Sequence, residues 1–276
     1  MEESIKYLTP GEIKGELVKM LKWFNDFCTQ HEIIYSAMGG TLLGAIRHKG
    51  FIPWDDDIDV SVTREMYDKI RSLRDEIRGS GKYDVVCVED GTSEFPFIKL
   101  LNKKIAVHQV NIKTNSDFLW IDIFPYDYAP EDKSVRDSTF KECHRTRLML
   151  ESSQMVKGEK MKKDKKTAIK LMLSPLFKII GSEKLALKIS CMAQKFKETE
   201  RDYVCAFVWG YGAHECVMTK KFIKTLAVPF EDTEIYIMSC YDDFLTKVFG
   251  NYMQLPPVEK RVSHSIDAWF IENEEE

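Results

Sequence analysis

An α/β fold is the class that the amino-acid sequence predicts, and three observations lead to it. Amphipathic helix patterns alternate with short strand patterns up to about residue 130. After that point the patterns become mostly helical. The chain has 276 residues, 44% of them hydrophobic, which suffices for a sizeable core. We therefore expect an α/β unit over 1–130 and a mostly helical part over 131–276 that packs on it and returns near the C-terminus.

The first predicted elements surround a pair of glycines and a run of aspartates. Apolar spacing predicts a helix over 11–30, a strand over 33–38, a short helix over 41–50, a strand over 57–62 and a helix over 64–78. We expect Gly50 to close the second helix and Thr63 to cap the third. Apolar runs then predict further strands over 83–88, 95–101, 104–110 and 118–124.

Composition excludes several classes of protein. The net charge is only −4, which gives no reason to expect a nucleic-acid partner. The seven cysteines are scattered and form no CxxC pair, so neither a disulfide framework nor a thiolate zinc site is expected. The N-terminal sequence lacks the apolar run of a signal peptide, and no segment resembles a membrane-spanning helix. We expect a cytoplasmic protein.

Three aspartates are candidate metal ligands. Asp57 and Asp59 alternate with aliphatic residues, and side chains at i and i+2 of a strand share a face, so these two and Ser61 would look into a cleft. Close carboxylates repel each other unless a cation lies between them, and oxygen ligands favour Mg²⁺ or Mn²⁺. Asp122, isolated in an apolar strand, would complete the cluster if its strand lies beside 57–62. Surface aspartates and a buried Asp122 satisfied by an N–H group or an arginine are the open alternatives.

The residues around these acids indicate a phosphate ligand. Gly39-Gly40 lies where a strand meets a helix, and glycines there let backbone N–H groups approach a phosphate, although an ordinary turn is the alternative. Arg47 is either a phosphate partner or a solvated cation at a helix end. Lys99, inside an apolar strand, would meet a phosphate or pair with one of the acids.

Several of these motifs resemble the LicD family of phosphotransferases, which is related to fukutin. They are GGTLLG (39–44) with Arg47, FIPWDDDID (51–59), WIDIFP (120–125), FGNYM (249–253) and LPP (255–257) with Lys260, Arg261 and His264. The resemblance extends from about residue 30 to 265, although about 130–200 shows no motif. Phe249 stands where the family often has tyrosine.

The resemblance implies both a fold and a reaction. The fold is a nucleotidyltransferase-like catalytic core over 1–130, with a small mixed sheet and flanking helices, and a C-terminal substrate-binding motif within 131–276. The reaction moves phosphocholine from CDP-choline to a hydroxyl of a lipid-linked cell-envelope glycan, a teichoic acid or lipopolysaccharide precursor, and releases CMP. Four alternatives stay open. They are transfer of another phospho-alcohol, a glycosyltransferase that uses a sugar nucleotide, a nucleotidyl transfer enzyme and an inactive binding module.

The resemblance also implies roles for individual residues. The metal would be held by Asp57, Asp59 and Asp122. The substrate-binding residues would be Gly39, Gly40, Thr41, Arg47, Lys99, Arg261 and His264, the last of which is equally compatible with a structural role. Asp122 is the expected base or orienting ligand. Asp55 is a weaker candidate, since it and Asp56 are also typical of a turn after Pro53.

Two further features point to the ligands of such an enzyme. Choline recognition needs an aromatic cage, for which Trp54, Trp120, Tyr126 and Tyr128 are candidates, with plain core positions as the alternative. The chain from Lys157 to Lys188 has ten lysines against three acids, and its part 166–180 also has Leu171, Leu173, Leu176, Phe177 and Ile180. This segment would rest on the inner face of an anionic membrane, or form a solvated helix with one core face.

Overall fold

The structure of the protein, a computed structural model, describes residues 5–109, 112, 117–156, 165–197, 201–261 and 266–271. The candidate ligand His264, residues 157–164 of the basic stretch and the acidic tail from Glu272 lie outside the described residues.

Helices and strands alternate through the first half of the chain, as expected. The helices are α1 (Pro10–Gln30), α2 (Gly39–His48), α3 (Arg64–Ser72), α4 (Arg74–Gly79), α5 (Lys133–Gln154), α6 (Lys165–Ile180), α7 (Ser182–Ala193), α8 (Thr219–Phe222) and α9 (Tyr241–Phe249). The strands are β1 (Tyr35–Ala37), β2 (Asp59–Thr63), β3 (Tyr83–Val86), β4 (Ile98–Gln109), β5 (Phe118–Ala129), β6 (Tyr203–Cys205), β7 (Val217–Met218), β8 (Thr225–Phe230), β9 (Thr233–Met238) and β10 (Ile266–Phe270).

A mixed sheet forms the centre of the molecule. Its strand order is β1-β2-β5-β4-β10, with β3 also paired to β4, and with β6 joining the end of β5 to β7. The β2–β5 pair is parallel, and the other pairs in this sheet are antiparallel. Strands β8 and β9 form a separate hairpin. The expected α/β class, with a mixed sheet and flanking helices, is confirmed.

Helix α1 shows why the first predicted helix forms. Thr9 and Glu12 make a capping box, in which the Glu12 N–H donates to Thr9 Oγ1 (3.3 Å) and the Thr9 N–H donates to Glu12 Oε2 (2.7 Å). Pro10 follows at the first helical position, where its missing N–H is harmless. The apolar face is buried in the main core, and each such side chain contributes roughly 2 kcal/mol. Its members include Ile13, Leu17, Leu21, Phe24 and Phe27.

The second half of the chain returns to the sheet. Strand β10 pairs with β4, from Ile266 opposite Gln109 to Phe270 opposite Ile105. Helices α5 and α7 enclose a second, smaller core, whose buried members include Cys143, Leu150, Leu185 and Ile189. The division into domains at residue 130 stays a prediction.

Several predicted boundaries differ from the observed ones. Strand β2 begins at Asp59, so Asp57 precedes the strand. Helix α2 ends at His48, and Lys49, with φ of 60°, is the left-handed cap in place of Gly50. The two strands expected over 95–101 and 104–110 are the single strand β4. A register shift between Asn102 and Ala106 lets the strand continue past the polar residues there.

Candidate active site

Three charged side chains lie in a row across the sheet. Asp59 on β2 is opposite Asp122 on β5, and Asp122 is opposite Lys99 on β4. The expectation that the two aspartate strands are neighbours is therefore confirmed. Lys99 Nζ donates to Asp122 Oδ1 (2.7 Å), and Trp120 Nε1 donates to Asp122 Oδ2 (3.1 Å). Of the two roles expected for Lys99, the structure shows the pair with an acid.

Asp59 has the most unfavourable electrostatic surroundings in this row. Burial raises its pKa well above the usual value, and the carboxylates of Asp57, Asp122 and Asp55 raise that pKa further, while Lys99 lowers it. Like charges are therefore concentrated at one point, which is the situation that a bound cation relieves. The prediction for Ser61 was wrong, because this residue is fully buried and its hydroxyl donates to a backbone oxygen.

The glycine pair allows two acids to approach the first turn of α2. A Cβ on Gly40 would lie 2.4 Å from Asp55 Oδ2, so a larger residue there would displace that carboxylate. Gly39 has a φ of 55°, and a Cβ there would lie 3.5 Å from Asp59 Oδ2. Thr41 is buried, and its hydroxyl accepts the Asp59 N–H at 2.9 Å. Thr41 thus fixes the backbone of Asp59 through this hydrogen bond.

One cavity contains all these acids. Its volume is about 510 Å³, which suits a small-molecule ligand. Six acidic residues line it, namely Asp55, Asp56, Asp57, Asp59, Asp122 and Glu151, against the two basic residues Lys99 and Arg147. Gly39 and Gly40 line it as well. The excess of negative charge would repel a phosphate ester unless cations offset it.

Six aromatic side chains also line this cavity and are called here the aromatic wall. They are Phe95, Phe97, Trp120, Phe124, Trp209 and Tyr211. The Trp209 ring stands edge-on to Phe97, with ring centroids 5.3 Å apart. Aromatic faces in this wall already hold one cation, because Lys99 Nζ lies 4.2 Å from the Trp120 ring centroid and 4.6 Å from that of Phe95.

Most of the predicted cage residues lie elsewhere. Of the four, Trp120 lines the cavity. Tyr126 is fully buried and stacks on Phe222, and the Tyr128 hydroxyl donates to Glu65. Trp54 lies under the guanidinium of Arg261. Tyr126 and Tyr128 share the face of Asp122 on β5 but lie four and six residues further along the strand, at about 3.3 Å per residue, so nearness in sequence to the acids is a poor guide here.

The loop over 206–216, called here the WGYG loop after Trp209–Gly212, completes the cavity. Glu215 is fully buried, and its Oε1 accepts the N–H groups of Tyr211 and Gly212. Arg147 on α5 donates to the Gly210 oxygen at 3.0 Å. Burial raises the pKa of Glu215 to about 7. This loop was not predicted from the sequence, although its Trp-Gly-Tyr-Gly run, with aromatic residues beside glycines, is typical of a binding loop.

Arg47 and Arg261 come together outside this cavity. Arg47 donates to the Tyr252 oxygen at 2.8 Å, and Arg261 donates to the Pro256 oxygen at 3.0 Å. Burial lowers the pKa of Arg47, and the nearby charge of Arg261 lowers it further. Arg47 on α2 is thus bonded to the C-terminal motif, and Arg261 of that motif lies over Trp54, which directly precedes the aspartates. Their expected contact with phosphate stays a prediction.

The donor set fits a hard divalent cation by its chemistry. Asp57, Asp59 and Asp122 share one cavity and offer only oxygen atoms. In the described part of the chain, no three carboxylate, imidazole or thiol side chains already converge as a ready metal site. The assignment of Mg²⁺ or Mn²⁺ to this cluster therefore stays a prediction.

The described residues also bear on the membrane question. None of the helices within them combines the length and the apolar character needed to cross a bilayer.

Comparison with known proteins places these residues in a family. The LicD/FKTN/FKRP nucleotidyltransferase domain matches residues 32–162, which include the glycine pair and every acid of the row. The lipopolysaccharide cholinephosphotransferase LicD of Haemophilus influenzae is 29% identical over 97% of this chain and 100% of its own length. An uncharacterized protein of Rickettsia prowazekii is 39% identical over 23% of this chain and 24% of its own. Residues 32–162 are therefore a domain of the LicD/FKTN/FKRP type, and the chain is similar over nearly its whole length to the Haemophilus protein.

Proposed function

We propose that this protein is a metal-dependent enzyme that moves phosphocholine from CDP-choline to a hydroxyl of a cell-envelope glycan and releases CMP. The observation that carries the proposal is the cavity that clustered carboxylates and an aromatic wall line together. The acceptor class follows the Haemophilus relative, whose name specifies lipopolysaccharide. We take the acceptor to be a lipid-linked precursor of this kind, with teichoic acid as the alternative.

In this proposal the carboxylates hold a cation. Asp57, Asp59 and Asp122 would hold Mg²⁺ or Mn²⁺, which would supply positive charge to the phosphate oxygens of the donor. The support is the excess of acidic over basic residues around the cavity, because a diphosphate would otherwise be repelled. Lys99, held between Asp122 and the aromatic rings, adds a fixed positive charge on the same side.

The chain positions the reacting groups around that cation. The acceptor oxygen bonds to the choline-side phosphorus while the bond from that phosphorus to the bridging oxygen breaks, and CMP leaves. The hydroxyl proton passes to a carboxylate. Asp122, whose oxygens accept hydrogen bonds from Lys99 and Trp120, is the candidate base or orienting ligand, and Asp55 is the second candidate base.

The aromatic wall supports choline as the transferred alcohol. A quaternary ammonium binds to the faces of Trp and Tyr rings and does not donate hydrogen bonds. Tyr211 is 60% exposed and contacts Phe249 at a ring distance of 5.8 Å, so its ring is available at the cavity mouth. Trp209 lies deeper, beside Phe95 and Phe97.

The test is a donor and acceptor panel read by mass spectrometry. Purified protein is incubated with Mg²⁺, one CDP-alcohol and either lipopolysaccharide precursor or teichoic acid, with EDTA as the matched control. We expect phosphocholine on the lipopolysaccharide precursor and stoichiometric CMP, with neither product in EDTA. Release of a nucleoside diphosphate from a sugar nucleotide, or of pyrophosphate from CTP, would replace the proposal with a different transferase.

A further inference from the structure

The outer face of α6 carries a line of exposed apolar side chains. Ile169, Met172, Leu176 and Ile179 are 54%, 72%, 55% and 84% exposed. Their spacing of three, four and three residues places them on one side of the helix. Single exposed apolar residues are ordinary, but four in line on one helix are a feature of an interaction surface. We call these four residues the α6 stripe.

The opposite face of α6 packs on the protein. Ser174 is buried, Phe177 packs against the second core, and Lys170 pairs with Glu151 of α5. These contacts fix which way the helix faces, so the α6 stripe points outward. The apolar residues predicted from the sequence to contact a membrane differ from the α6 stripe. Three of them, Leu171, Leu173 and Phe177, are only partly exposed.

The borders of the α6 stripe are basic. The helix KKTAIKLMLSPLFKII contains four lysines and no acidic residue. Lys165, Lys166 and Lys178 are exposed. Helix α7 follows directly and adds exposed Lys184 and Lys188 around Leu187, which is 43% exposed. An apolar strip with lysine borders complements a surface that is apolar within and negatively charged at its edge.

We propose that α6 and the start of α7 form a docking surface for an anionic lipid bilayer. The α6 stripe enters the boundary between headgroups and acyl chains, and the bordering lysines contact lipid phosphates. A second copy of the chain is a poorer occupant, because two such helices facing each other would bring lysines against lysines. The protein lies on the bilayer and does not cross it.

This surface is close to the catalytic cavity through α5. Glu151 lines the cavity and pairs with Lys170 of α6, and Arg147, one turn earlier on α5, pairs with Glu151 as well. A bilayer on the outer side of α6 would therefore lie one helix layer from the cavity wall. On the proposed function, this arrangement would present a lipid-linked acceptor near the site where the donor binds.

Vesicle sedimentation tests the docking surface with neither donor nor acceptor present, so its result does not depend on the transfer reaction. Vesicles contain either phosphatidylcholine alone or a mixture with phosphatidylglycerol. We expect binding only to the mixture, and release at high salt. Met172→Gln with Ile179→Gln should abolish binding, and Lys166→Gln with Lys178→Gln should weaken it about fivefold per lysine. Lys220→Gln with Lys221→Gln, the same charge change on α8, should leave binding unaltered.

The results distinguish a bilayer from a second copy of the chain as the partner of this surface. Thermal unfolding of each variant should match the unmodified protein, because every substituted side chain is exposed. Failure to bind the anionic vesicles, or equal binding to both kinds, overturns the proposal. Light scattering that finds a dimer dissolved by Met172→Gln with Ile179→Gln would instead assign the α6 stripe to self-association.

Discussion

Asp59 is the residue whose surroundings most need a cation. Its half-buried carboxylate has three others nearby, so the charged form destabilises the metal-free fold. We expect Asp59→Asn to lower kcat/KM by at least about a hundredfold, since charge stabilisation at the phosphate is lost. The same change should raise the free energy of unfolding of the metal-free protein by on the order of 1 kcal/mol, because a repelled charge is removed. Steady-state kinetics and denaturant unfolding measure the two effects.

Added Mg²⁺ separates a metal ligand from a structural acid. A ligand that binds only the folded state raises stability with its concentration, by about 2.7 kcal/mol at a hundred times its Kd. The melting temperature of the unmodified protein should therefore rise with Mg²⁺, and that of Asp59→Asn should rise less. Asp26→Asn, an exposed change on α1, is the matched control. Equal stabilisation of all three proteins would remove Asp59 from the metal site.

Trp209 is the residue that tests choline recognition. Its ring is part of the aromatic wall, but the residue lies outside β2 and β5, the strands that carry Asp59 and Asp122. We expect Trp209→Leu to reduce kcat/KM for CDP-choline about thirtyfold, in line with a desolvated cation–π contact of about 2 kcal/mol. The loss for CDP-ethanolamine should be smaller, since a primary ammonium can also donate hydrogen bonds to the acids. An equal loss for both donors would mean that Trp209 only shapes the cavity.

The acids of the site were predictable from the sequence, and the aromatic wall was not. An isolated aspartate in an apolar strand, as at Asp122, is costly unless it is paired or binds a metal, so its residue type singles it out as a candidate. The use of Trp209 depends on Arg147 and Glu215 holding a loop far along the chain against β5 and β4. Local patterns carry no information about such a long-range contact.

At the scale of elements, the WGYG loop depends on one buried acid. Glu215 has a pKa of about 7 in the fold against an ordinary 4.5, because burial disfavours its charge. Between these values the folded state holds a proton that the unfolded state releases, so stability falls as the pH rises through this window. Glu215→Gln keeps an oxygen for the two N–H groups and removes the charge. We expect the variant to be more stable than the unmodified protein by on the order of 3 kcal/mol at pH 8, and by little at pH 4.

Denaturant unfolding at several pH values checks this expectation. Glu183→Gln, an exposed change on α7, should leave the pH dependence of stability unaltered. If Glu215→Gln shows the same slope as the unmodified protein, the raised pKa is not the source of the effect.

The elements themselves were largely predictable, with errors at their ends. Helix α1 has a capping box, a proline at its first position and an apolar face, and all three signals agree. Strand β4 was predicted as two strands because Asn102 and Lys103 separate two apolar runs, whereas the sheet continues through a register shift. Pairing with β5 on one side and β3 or β10 on the other stabilises the strand beyond its local preference.

At the scale of the whole molecule, both halves of the chain contribute to one sheet. Strand β10 pairs with β4, and β6 pairs with the end of β5. The β8–β9 hairpin is attached to β1, where the Met238 N–H donates to Ser36 Oγ at 2.8 Å. The matched LicD domain, over 32–162, likewise extends past the boundary at residue 130 that the sequence predicts.

A fragment ending at residue 130 should therefore fail to fold by itself. Without β10, the backbone groups of β4 that face it between Ile105 and Gln109 lose their partners. We expect such a fragment to aggregate or to lack a cooperative thermal transition. A chain ending at Ile271 keeps β10 and is the control, for which circular dichroism and tryptophan fluorescence should report a single, coincident transition. A soluble fragment with its own sharp transition would instead mark residues 1–130 as an autonomous domain, with the second half as an attachment.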